Sequence, residues 1–109
     1  MEINYESQKI EKTFSTQVRL VRKFGLKIAT GIQRRVEELT VADTLDEISH
    51  FPPSRLHLLT GNLRGYFAVS VTENVRLIFE GMNDFQEVTT NKEQITQVII
   101  MKVSDYHDK

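Results

Sequence analysis

The chain has 109 residues, of which 39% are hydrophobic and 27% charged, the balance of one modest domain with a single core. With no cysteine it has no disulfide, no thiol nucleophile and no Cys-based zinc site, which fits a reducing cytoplasm. The net charge of −1 argues against a protein that coats nucleic acid by electrostatics alone.

No apolar stretch approaches the ~20 residues that span a bilayer, and the acidic start MEINYESQKI lacks the apolar run of a signal peptide. Charge is unevenly spread. Residues 9–35 hold eight Lys/Arg against one acid, a local balance of +7 that suits either a solvated helix face or a surface for nucleic acid or a partner. Nothing repeats and no linker divides the chain, so residues 1–109 are expected to form one domain.

EINYE reads as a short first strand. After it, Ile10, Phe14, Val18 and Val21 recur at helical spacing, and Gly25 interrupts. A second helix carries Ile28, Ile32, Val36 and Leu39 on its seam and turns Arg34, Arg35, Glu37 and Glu38 outward. Gly31 lies inside it at a cost of roughly 1 kcal/mol relative to alanine. The two helices are expected to form an antiparallel hairpin. TLDEISHF reads as a further short helix, with Thr44 and Glu47 at capping-box spacing and Pro52-Pro53 ending it.

The period then changes to two. RLHLLTG, YFAVSVT and VRLIFEG alternate as strands, with Glu73-Asn74 as a hairpin turn in which Asn tolerates positive φ. Residues 81–94 are polar and read as loop, and ITQVIIMKVSDYH is the longest strand candidate and the expected central one. The pattern is α+β: an N-terminal strand and helical hairpin packed on one face of an antiparallel sheet of about four to five strands.

Alternation puts Asp105 and His107 on one side of the last strand and Tyr106 on the other, unless its end twists or bulges. Arg76 occupies an interior-looking position in NVRLIF, where a permanent guanidinium requires a carboxylate or an anionic ligand; Glu80 and Asp105 are the carboxylates within reach of that pattern. One sheet face could thus gather Arg55, His57, Arg76, Asp105 and His107. His50, His57 and His107 lack metal-ligand spacing, and TGNLRG lacks that of a phosphate loop, so neither a metal nor a cofactor is expected.

The stretch RLHLLTGNLRGYFAVSVTENVRLIF followed by a terminal DYH resembles the RelE/HigB toxin superfamily, and within it the HigB, or plasmid-maintenance killer, branch. The matching positions are Leu56, Leu59, Gly61, Gly65, Tyr66, Ala68, Val69, Arg76, Phe79 and Asp105-Tyr106-His107. The resemblance implies a cytoplasmic toxin of a type II toxin–antitoxin module that enters the ribosomal A site, cleaves mRNA there without a metal, and is neutralised by a helix-turn-helix, HigA-like antitoxin.

Cleavage of this kind uses the RNA's own 2′-OH as nucleophile and needs a base, a cation at the phosphate oxygens and an acid at the leaving 5′-oxygen. Carried over by position, Arg76 holds the scissile phosphate, and His107 and Asp105 divide the acid and base work. Tyr106 contacts the nucleotide, and His57 is a second proton carrier. Arg55, Arg64, Tyr66, Arg34 and Arg35 are the expected RNA- or ribosome-binding residues. Three departures stand out: Thr60 takes the place of a Lys in similar members, the loop of residues 81–94 is longer than the usual hairpin, and Thr72 takes the place of an arginine, for which the nearby Arg64 could substitute. With the acidic pI they leave two other readings open: a RelE-fold binding module with little catalysis, and a ParE-like gyrase inhibitor.

Overall fold

The helical spacing of the first forty residues and the alternation that follows resolve into two layers in a computed structural model, which describes residues 1–105. β1 (Glu2–Tyr5) precedes three helices, α1 (Gln8–Phe14), α2 (Gln17–Phe24) and α3 (Leu26–Val41). Strands β2 (His57–Leu58), β3 (Phe67–Ser70), β4 (Val75–Met82) and β5 (Gln97–Asp105) follow. They form one sheet in the order β1-β5-β4-β3-β2. All neighbours are antiparallel except β1, which lies parallel to β5, so the sheet is mixed rather than wholly antiparallel. The longest strand, β5, is interior, but β4 occupies the centre.

Capping side chains cut the first predicted helix in two. Ser7 Oγ accepts from the Ile10 amide at 3.2 Å to start α1, and Thr16 Oγ1 accepts from the Arg19 amide at 3.1 Å to start α2. The break between them turns Val18 out of the expected seam, leaving it 64% exposed. Gly25 ends α2 as expected. Gly31 is explained by proximity: a β-carbon there would lie 2.6 Å from the carbonyl oxygen of Val71, so α3 can approach the β3–β4 connection only with no side chain at this position.

TLDEISHF forms a single 3-10 turn, Leu45–Glu47, and not a helix reaching the prolines. Its capping signal is real: the Glu47 carboxylate accepts from the amides of Asp43 at 3.0 Å and Thr44 at 3.2 Å. The β3–β4 hairpin closes through the Val71 and Thr72 amides on the Val75 carbonyl, at 2.8 and 3.1 Å. Asn74 does not adopt the positive φ expected of it; among the described residues only Arg55 and Gln86 do so without being glycine.

The core fills the space between the helices and one sheet face. Phe67, Val69, Val75, Leu77, Phe79, Val98 and Ile100 meet Leu20, Ala29, Ile32 and Leu39. Phe67 and Phe79 stack with centroids 5.9 Å apart, and burial of each contributes about 2–3 kcal/mol. Among the described residues no helix covers the other face. A small cluster of Leu59, Ala68 and Ile78, flanked by Leu63, Tyr66 and Met101, packs there.

A one-residue bulge decides which side chains reach that open face. Phe79 pairs with Ile100, yet Ile78 pairs with Lys102, so Met101 is the extra residue on β5. Beyond it the alternation inverts. Val103 packs on the main core, and Lys102 and Ser104 come level with Ile78 and Arg76. Asp105 is paired with Val75, on the helix-covered face, and not with Arg76.

Candidate functional site

Cross-strand partners in a sheet share a face, so the register maps the open face directly. One row runs His57, Ala68, Ile78, Lys102 across β2, β3, β4 and β5. The next row, one pleat along, runs Ser70, Arg76, Ser104. In the opposite direction Glu80 is level with Ile99. Arg76 is therefore half-buried in the middle of the sheet, between two serines and diagonal to a lysine. A cation held this way is fixed by the strand, not by a flexible loop, and such preorganisation is what stabilising a developing phosphate charge requires.

His57 is exposed at the edge of this face. Its Nδ1 lies 2.9 Å from the Arg55 carbonyl oxygen. A carbonyl can only accept, so Nδ1 carries the proton in the neutral ring and Nε2 presents a lone pair to solvent. Arg55, at φ 50°, makes the turn that brings its carbonyl round to the ring, and its own side chain is exposed.

The segment between β2 and β3 carries the motif glycines. Gly61 and Gly65 have φ of 67° and 96°, the left-handed region that side chains avoid, and they bracket the 3-10 turn Gly61–Leu63. That turn is preceded by Thr60, exposed and uncharged, and followed by Arg64. Arg64, Tyr66, Glu80, Thr89 and Thr90 line a cavity of about 480 Å³ beside the open face.

The remaining predicted residues divide. Arg34 is exposed on α3, in the helical layer and away from Arg76. Arg35 is a correction: it is 6% exposed and faces inward. Its guanidinium donates to the Ser70 carbonyl at 2.8 Å, to Glu38 at 2.6 Å and to Ser54 Oγ at 3.1 Å, while Ser54 donates to Glu38 at 2.8 Å. It ties α3 to β3 and to the segment before β2, and is not an RNA-binding residue. Glu38, expected on the outer face, is half-buried for the same reason. His57 and Arg76 share the open face, whereas Arg55 precedes β2 and Asp105, past the bulge, pairs in register with Val75. Tyr106 and His107 lie outside the described residues.

Sequence reading passed over Lys102, Ser70 and Ser104, because their arrival beside Arg76 depends on register and bulge. Among the described residues no three His, Asp or Glu side chains converge to hold a metal ion. The basic residues of the first helices line a groove of about 320 Å³ between α1 and α2, formed by Lys9, Lys12, Thr13, Arg19, Arg22 and Lys23.

A five-stranded mixed sheet with an N-terminal strand and three helices is a fold of the RelE/YoeB-like toxins. The profile described as RelE-like toxin of type II toxin-antitoxin system HigB matches residues 4–92, and the chain belongs to that HigB-like family of toxins. Members pair with an antitoxin and are, in general, endoribonucleases. Among solved structures, a YoeB/ParE toxin from Agrobacterium tumefaciens is similar over 96% of this chain and 98% of its own, with a TM-score of 0.57 and 9% identity. A copper-bound mutant toxin from Helicobacter pylori is similar over 99% and 97%, with a TM-score of 0.51 and 12% identity. At these identities the likeness is one of fold. No curated protein matches the chain.

Proposed function

We propose that the open face cleaves mRNA on the ribosome, with Arg76 as the phosphate-holding cation. The observation that carries this reading is the row Ser70, Arg76, Ser104 on an uncovered sheet face, with Lys102 one pleat away and His57 at the same face's edge. In the reaction the 2′-oxygen attacks the adjacent phosphorus, the P–O5′ bond breaks, and the products are a 2′,3′-cyclic phosphate and a 5′-OH. Arg76 and Lys102 offset charge that develops on the non-bridging oxygens. His57 Nε2 is the proton acceptor for the 2′-OH, and His107 protonates the leaving 5′-oxygen. Tyr106 contacts the nucleotide. Asp105, in register with Val75 and not with Arg76, is given no part in this acid–base pair.

The antitoxin is proposed to be a helix-turn-helix protein, and the cationic groove between α1 and α2 is suited to an acidic segment of it or to ribosomal RNA. The test is controlled expression followed by mapping of RNA ends. New 5′-OH termini within translated codons, absent in Arg76→Ala and His107→Ala, support the reading. Growth arrest without such termini sinks it and leaves the binding-module reading, which the uncharged Thr60 favours. A supercoiling assay separates both from a gyrase inhibitor.

A further inference from the structure

We infer that the cavity beside the open face is a guanine-recognising subsite, with Glu80 as the residue that reads the base; this rests on the RNA-cleaving reading and names a specificity determinant for it. Glu80 lies on the same face of β4 as Arg76, and its half-buried side chain makes no hydrogen bond or ion pair to a described residue. It lines the cavity of about 480 Å³ together with Tyr66, Arg64, Thr89 and Thr90. In the larger cavity under α3 the half-buried carboxylate, Glu38, is instead bonded to the buried Arg35 and Ser54.

The chemistry selects the ligand. An ionised carboxylate only accepts, through two parallel oxygens, so it fits an edge that presents two adjacent donors. Guanine offers N1–H and N2–H side by side, whereas adenine and cytosine offer one amino group on that edge and uracil one imino group. Tyr66 supplies a ring against which the base can stack, and Arg64 a guanidinium for a flanking phosphate. Thr89 and Thr90 supply hydroxyl donors, which suit the acceptors O6 and N7. Glu80 is four residues from Arg76, about 13 Å along the strand. The base it reads therefore belongs not to the scissile step but to a neighbouring nucleotide of the same bound RNA.

The experiment is a titration of the purified chain with GpU, ApU, CpU and UpU, read by amide NMR shifts. The expected result is at least a tenfold tighter Kd for GpU, with shifts at residues 64–66, 80 and 89–90. Glu80→Gln, whose fold is checked by the same spectrum, should reduce that preference at least tenfold. Equal affinities, no saturable shift in the millimolar range, or a preference kept by Glu80→Gln would each overturn the inference. So would a Kd for GTP tenfold below that for GpU, which would mark a free-nucleotide pocket. Mapped cleavage sites distinguish the two readings. Guanine binding here without any cleavage would remove the nuclease and keep the subsite, whereas cleavage with no guanine preference in binding would do the reverse.

Discussion

Arg35 and Arg76 are the same residue type in two opposite settings. Arg35 lies under the helical layer, 6% exposed, with carbonyl, carboxylate and hydroxyl partners from three parts of the chain. Arg76 stands on the uncovered face, half-buried, amid serines whose hydroxyls can serve a ligand as well as the protein. The first has its hydrogen-bonding capacity absorbed by the fold, and the second is held in place by the sheet beside a surface that a substrate can reach. Buried charge thus does structural duty on one side of the sheet and is proposed to do chemistry on the other.

The largest effect that could break this contrast is on activity. Arg76→Ala should lower RNA cleavage by about 10²–10³-fold, the usual loss of a preorganised donor at a developing oxyanion, in a timed assay of 5′-OH termini. Its melting temperature should stay close to that of the parent. A variant that melts early would place Arg76 in the same structural class as Arg35.

Arg35→Ala should do the reverse. Removing one partner leaves Glu38 and the Ser70 carbonyl short of a donor, at a cost of about 3 kcal/mol, moderated because Glu38 keeps contact with solvent. For a chain of this size that is roughly 13 °C in Tm, measurable by calorimetry.

Gly31→Ala comes next. The added methyl meets the Val71 carbonyl, so despite better helix propensity it should destabilise by about 1–3 kcal/mol in urea unfolding. Stabilisation would mean that α3 does not press on the hairpin. The smallest effect belongs to the adjacent control: Arg34→Ala, exposed on α3, should change stability by less than about 0.5 kcal/mol.

Much of the frame could be read from the chain. Helical spacing located the helical segments, the capping pair Thr44 and Glu47 marked a real turn, and alternation marked β3 and β4 correctly. The motif glycines Gly61 and Gly65 sit at positive φ, where glycine is the residue least strained. What failed did so for local reasons. Ser7 and Thr16 capped two helices where a continuous apolar seam suggested one, because a side-chain oxygen at a helix start competes with continuation.

By itself, then, the sequence determined the class of fold and the faces of β3 and β4. These follow from period, propensity and local hydrogen bonding, which neighbours in the chain settle among themselves. Only the tertiary structure decided which of Arg34 and Arg35 turns inward, and that Lys102 and Ser104, not Asp105, stand beside Arg76. A single extra residue at Met101 reverses every side chain after it, and its position is set by how β5 must fit β4 and the core at once. That fit is a property of several distant segments together, so no periodicity along one strand could announce it.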